Sequence, residues 1–150
     1  MIYFKRIFNK TELNETNYDL IEALIKEVDP NWVLDFSGFD YVFGSNDFWW
    51  LEIYDDKQCT KQIGFVAFNI TRDVFSVYKR AGLYHLYLLP EYRGLRGGRV
   101  IKAVEKIAKD QGATDFTWSA HTGSALEKCF REKHGYKKIE CCYQKTFIKV

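Results

Sequence analysis

At 150 residues, with 47% hydrophobic and 17% aromatic side chains and only two prolines, the chain has enough apolar surface for one sizeable core and lacks the composition of a linker. A formal net charge of +2 excludes the strongly basic balance of domains that bind nucleic acid through charge, and no apolar run approaches the ~20 residues that span a bilayer. The small total hides a polarity, since residues 1–60 hold 5 Lys/Arg against 12 Asp/Glu, a balance of −7, while residues 61–150 carry +9. That division suits a protein whose second half holds a polyanion while its first half receives a cation.

Residues 2–8 alternate as a first strand, and Thr11 is placed to cap an early turn. Leu20, Ile21, Leu24, Ile25 and Val28 recur at helical spacing and predict a helix over 17–28, which Asp29-Pro30 ends because the residue before proline disfavours the helical region. The aromatic stretch 32–43, broken by Gly38, fits a short helix or an ordered loop. Residues 48–54 lie between Asn46-Asp47 and Asp55-Asp56-Lys57 and read as a strand, turned into a second over 62–70. A further strand covers 83–89. From 98 to 111, Val100, Ile101, Val104, Ile107 and Ala108 share one face of an amphipathic helix that Gly112 is placed to end. Residues 114–120 read as the next strand and 124–134 as a helix closed by Gly135-Tyr136. The order predicts one domain over 1–150 of α/β (α+β) class, with a mixed, mainly antiparallel six- or seven-stranded sheet flanked by about four helices. Cys59, Cys129, Cys141 and Cys142 show no Cys-x-x-Cys spacing and the start carries no signal-peptide pattern, so a cytoplasmic location is the economical reading.

Residues 86–100 read Leu-Tyr-Leu-Leu-Pro-Glu-Tyr-Arg-Gly-Leu-Arg-Gly-Gly-Arg-Val, an apolar strand that meets a basic, glycine-rich helix start. Gly94, Gly97 and Gly98 allow close approach of the backbone to a ligand, and the first amides of a helix have no partner within it. Such a turn suits phosphate. Arg93, Arg96 and Arg99 add forked donors that match a pyrophosphate or a 3'-phosphate. The commonest competing phosphate binders are excluded, because there is neither a Gly-x-Gly-x-x-Gly followed by an acidic residue nor a Gly-Lys-Ser/Thr.

This stretch resembles the acyl-CoA-binding motif of the GNAT superfamily of N-acetyltransferases, where a strand ending in a Pro-x-x-Arg-Gly-like phrase meets Arg/Gln-x-x-Gly-x-Gly/Ala. Arg93 takes the first position and Gly98 the last, with Gly94 and Leu95 between. Arg96 stands where the family has its middle glycine, and Gly97 follows one place later. Elements in matching order extend from about Gly64 to the C-terminus, where 139–148 fits two final strands. The resemblance implies the acyl-CoA N-acyltransferase fold and direct transfer of an acetyl group from acetyl-CoA to a primary amine of a small molecule or protein, with no metal. It implies cofactor contacts from the backbone of Leu88 and Leu89, from Arg93, Gly94, Leu95, Arg96, Gly97, Gly98 and Arg99, and from Ser124. The partners it implies are acetyl-CoA and an amine acceptor, with neither nucleic acid nor membrane. An exposed edge or aromatic patch would support a homodimer.

In the family a base often lies on or near the strand before the glycine turn. His85 is the one side chain there that titrates near neutrality. Its neighbour Tyr84 points to the opposite face of a regular strand, so only one of the two lines the cleft. Glu52, on the strand over 48–54, is a second candidate base. Residues 32–50 correspond to the acceptor wall, where Asp35, Asp40 and Asp47 would attract a cation. The helix tyrosine that protonates the leaving thiolate in many relatives is replaced by Phe130 or Arg131, leaving Tyr136 and Tyr143 nearby. That absence and Arg96 keep a second reading open: a weakly active or inactive module that binds CoA, another anion or a protein partner.

Overall fold

The computed structural model describes residues 1–119 and 135–137, together with Lys145 and Phe147. The helix predicted over 124–134 and the strands predicted over 139–148 lie outside the described residues, as do Cys129, Cys141 and Cys142. Five strands are described, β1 (Tyr3–Ile7), β2 (Phe48–Tyr54), β3 (Gln62–Arg72), β4 (Lys79–Leu88) and β5 (Ala113–Thr117). They form one sheet in sequence order, with antiparallel pairing from β1 to β4 and parallel pairing of β5 to β4. Parallel pairing needs a crossover, which α3 (Leu95–Asp110) supplies.

Side-chain alternation divides the sheet into two apolar faces. Leu51, Val66, Phe68 and Ile70 pack under Val100, Val104 and Ala108 of α3. On the other face, Trp50, Phe65 and Ala67 pack with Leu13 and with Leu20 of α1 (Glu15–Val28). Trp50 and Phe65 stack at 4.5 Å between centroids with planes 8° apart, an arrangement worth about 0.5–1.5 kcal/mol beyond the area it buries. The Asn14 side chain caps α1 by accepting the Asn17 N–H at 3.1 Å, and Asp29 before Pro30 ends the helix as expected. The aromatic stretch resolves into a loop and the short helix α2 (Gly38–Val42).

Two boundaries differ from the sequence reading in ways that matter to the site. Helix α3 begins at Leu95 rather than 98, because Gly94 alone takes the turning conformation, with φ +94°, and Gly97 already lies in the first helical turn. Strand β4 begins at Lys79 and carries a bulge: His85 pairs with Ala67 and Leu83 with Phe68, so Tyr84 is an extra residue without a partner on β3.

Candidate active site

The parallel pairing of β4 with β5 runs from Lys79↔Ala113 to Gly82↔Thr117 and stops there. Beyond Gly82, β4 continues for six residues with β3 on one side and no described strand on the other. The amide of Leu89 is committed to β3, donating to the Ile63 carbonyl at 2.9 Å. Because successive peptide groups of a strand alternate sides, the Leu88 N–H and C=O face the open edge. The Leu88 carbonyl accepts from Arg93 Nε at 2.9 Å, and the Arg93 guanidinium also pairs with Glu27 at 2.6 Å. Arg93 therefore ties the loop to the end of β4 and to α1, and the Glu27 hydrogen bond holds its guanidinium above its ordinary pKa.

The first turn of α3 has no side-chain cap. Among the described residues a Cβ at Gly94 or at Gly97 would meet nothing within 4 Å, so both α carbons face open space, while the Gly97 N–H donates to the Gly94 carbonyl at 3.1 Å. Arg96 turns toward Tyr92, with its guanidinium 5.4 Å from the ring centroid, and Lys61 donates to the Tyr92 hydroxyl at 3.3 Å. Leu95 and Arg99 are exposed. The turn thus joins a helix start without a side-chain cap to a basic rim, the arrangement that favours an anion.

On the α1 side of the sheet a cleft of about 350 Å³ opens between α1, the loop before α2, α2 itself and the strands. Trp50, Phe65 and Ala67 form its floor, Ile21 and Leu24 one wall, and Phe36 and Phe39 the other. Both Tyr84 and His85 line it. This corrects the expectation that strict alternation would admit only one of them: the bulge at Tyr84 breaks the two-residue period and brings consecutive side chains to one face. His85 is open to the cleft, yet the surrounding protein removes enough water to push its imidazole below the ordinary value of 6.5.

A model of the acetyltransferase (GNAT) family matches residues 13–136, most of the chain. The chain belongs to that family. No curated protein matches this acetyltransferase. Among solved structures, it is similar to an aminoglycoside acetyltransferase from an uncultured soil metagenomic sample in complex with sisomicin, at 15% identity and TM-score 0.73 over 99% of this chain and 97% of that one. It is also similar to AAC(6')-Iy in complex with a bisubstrate analogue of CoA and acetylneamine, at 16% identity and TM-score 0.67 over 97% of this chain and 99% of the other. A ribosomal-protein-alanine N-acetyltransferase from Brucella melitensis biovar Abortus matches at 14% identity and TM-score 0.72 over 98% and 99% of the two chains. At these identities the likeness is one of fold. The acetyltransferase is an acyltransferase enzyme by its family.

Not every sequence candidate of the acetyltransferase lies at the cleft. Glu52 is 1% exposed and sits inside the core, accepting from Asn17 Nδ2 at 3.0 Å and from the Tyr54 hydroxyl. Asn17 in turn accepts from Trp50 Nε1 at 3.2 Å and Gln62 Nε2 at 2.8 Å, so Glu52 belongs to a buried polar network that anchors α1 to the sheet. Asp40 is paired with Lys10 at 2.9 Å, and Asp35 is the one of the three predicted carboxylates among the described residues lining the cleft. Tyr136 donates to Glu105 at 2.7 Å, and burial raises its phenol pKa. Ser124, Phe130, Arg131 and Tyr143 lie outside the described residues. Among the described residues no cluster of His, Cys, Asp and Glu is arranged to hold a metal, and no helix is long and apolar enough to cross a membrane. Sequence reasoning missed Glu27, whose contact with Arg93 across 66 positions leaves no local signal, and the cleft floor at Phe65 and Ala67, which reads simply as core.

Proposed function

We propose that this acetyltransferase moves an acetyl group from acetyl-CoA to a primary amine by direct attack in a ternary complex. The observation that carries this reading is the edge of β4 beyond Gly82, unpaired among the described residues, which leads at one end into the glycine-led start of α3 and at the other onto the bulge that holds His85 in the cleft. The residues present fit acetyl-CoA: the space at Gly94 and Gly97 admits a bulky anion, and the Leu88 N–H offers a strand-like partner to an extended amide chain. Bound there, acetyl-CoA supplies an activated acyl carbon.

The chain's own groups do the rest. Amides of the first α3 turn, with Arg96, Arg99 and Lys61 around them, hold the diphosphate and fix the reach of the thioester. A backbone N–H on the open edge of β4 hydrogen-bonds the thioester oxygen, where negative charge develops. His85, its pKa lowered by desolvation, accepts a proton from the acceptor's ammonium directly or through one water; as the free amine forms the C–N bond the C–S bond breaks, and the proton shed by the new amide nitrogen ends, through solvent, on the departing CoA thiolate. The family similarity to a structure solved with a CoA bisubstrate analogue supports the choice of donor.

Thermal unfolding with acetyl-CoA, CoA and ATP tests the reading. Both CoA forms stabilise the protein more than ATP does, each adding about 2.7 kcal/mol over the unliganded protein at a hundredfold excess over its Kd. Gly97→Glu leaves the unliganded Tm unchanged or slightly raised, because its Cβ faces open space and glycine is a poor helix former. The same variant abolishes the CoA shift through like-charge repulsion. Full CoA affinity in Gly97→Glu, or no shift with any CoA in the parent protein, contradicts the assigned site.

A further inference from the structure

We infer that the acceptor is a small monoamine with a bulky apolar body, an arylalkylamine or alkylamine, rather than a polyhydroxylated polyamine or a peptide terminus. This rests on the acetyl-transfer reading and specifies its second substrate. The argument starts from what the cleft can satisfy. Its floor and walls are the rings of Trp50, Phe65, Phe36 and Phe39 and the aliphatic chains of Ile21 and Leu24, surfaces that gain from contact with carbon and offer nothing to a hydroxyl.

Among the described residues lining the cleft, Asp35 is the single carboxylate and His85 the single imidazole. Among the described residues, then, one positive charge finds a counter-charge. An aminoglycoside brings several ammonium and hydroxyl groups, and each one left without a partner on entering an apolar wall carries a desolvation cost. A peptide terminus brings amides with the same demand. The volume of about 350 Å³ lies at the lower end of the ~300–1,000 Å³ range of ligand pockets, which suits a small acceptor. Cavities of this size hold small organic molecules.

The placement of the two polar groups gives the amine a direction. Asp35 accepts the Ser37 N–H at 2.9 Å, which fixes the carboxylate on the loop wall, and Ser37 holds its pKa below the usual range so that it stays ionised. Trp32, 60% exposed, stands at the mouth, where its ring face attracts a cation in transit. His85 lies on the opposite, strand wall beside the open edge of β4. Asp35 and Trp32 draw in the ammonium form, the rings of the floor hold the apolar body, and His85 removes the proton where the nucleophile is needed.

Initial rates with acetyl-CoA, and quenching of tryptophan fluorescence by amine with and without CoA, test the inference on one panel: n-alkylamines from ethyl to hexyl, 2-phenylethylamine, kanamycin and an alanyl peptide amide. The expected result is a rise in kcat/KM of about fourfold per added methylene, with 2-phenylethylamine far ahead of kanamycin and the peptide. Asp35→Asn raises KM for 2-phenylethylamine about tenfold with kcat little changed. Trp32→Ala, at an exposed position that the fold does not need, weakens binding of the same amine. A flat alkylamine series, or kanamycin or the peptide as the best acceptor, overturns the acceptor class while acetyl transfer stands. Quenching by 2-phenylethylamine without any CoA shift or turnover keeps the ligand class and overturns the acetyl-transfer reading instead. Absence of both quenching and turnover with the apolar amines sinks the inference.

Discussion

His85 owes its place to one extra residue: the Tyr84 bulge turns two neighbouring side chains into the cleft, and the protein around the imidazole lowers its pKa from 6.5. The sign follows from desolvation, which disfavours the charged form, so the folded protein binds this proton less readily than the unfolded chain does. The neutral, proton-accepting form therefore dominates at pH 7, and the acid limb of kcat/KM lies below about pH 6.5. Stability from this group is present above the unfolded pKa and is lost as pH falls through the folded one. His85→Gln removes that limb and flattens the acid side of the stability profile. Glu52→Gln serves as the contrasting variant: it disturbs the hydrogen bonds from Asn17 and Tyr54 and lowers stability by about 1–3 kcal/mol, while the acid limb stays in place. A limb that survives His85→Gln and vanishes in Glu52→Gln would reverse the two roles.

Between elements, the tightest constraint on the site is the contact of β3 with the end of β4. A Cβ on Gly64 would come 2.1 Å from the Tyr87 carbonyl oxygen and 2.8 Å from Leu88 Cδ2, and the first of these is backbone held in the sheet. Gly64→Ala is expected to cost about 1–3 kcal/mol, read as a drop of several degrees in Tm, and to weaken CoA binding by displacing Leu88. Gly97→Glu does the opposite, sparing the fold and losing the ligand; equal Tm for Gly64→Ala and the parent protein would show that β4 is free to move. The same elements show how far the sequence could be read. Strand β2 is found over the predicted residues 48–54, since its boundaries are turn residues and its interior is β-branched and aromatic. Helix α3 starts three residues before the position its apolar spacing predicts, because three nearby glycines compete for the turning position and only the folded backbone selects Gly94. The bulge had no signal at all, for it is a property of register between two strands rather than of either one. Asp35 and Asp40 were likewise equivalent in sequence, and a partner 30 residues away, Lys10, removed Asp40 from the pool of free charges.

Over the whole molecule, the division of charge and the division of apolar surface point to different ligands. The half of the chain that carries +9 contributes Lys61, Arg96 and Arg99 around the start of α3, and the half that carries −7 contributes most of the apolar cleft. Donor binding should then depend on long-range attraction between a cationic rim and a multiply charged anion, whereas acceptor binding depends on apolar contact plus the Asp35 carboxylate. Exposed charges lose their reach as the Debye length shrinks from about 10 Å at 0.1 M salt to about 3 Å at 1 M. Apolar contact is not screened, and salts excluded from the protein surface strengthen it. Raising sodium chloride through that range should therefore raise KM for acetyl-CoA, which several charges hold, more steeply than KM for 2-phenylethylamine, where salt screens the contact with Asp35 but not the apolar contact, a split that steady-state kinetics at fixed pH resolves. Replacing Arg96 and Arg99 together by glutamine should remove most of the salt dependence of the donor term and leave the acceptor term as it was. Equally steep rises in both constants would mean that charge dominates acceptor recognition and that apolar contact in the cleft contributes little to it.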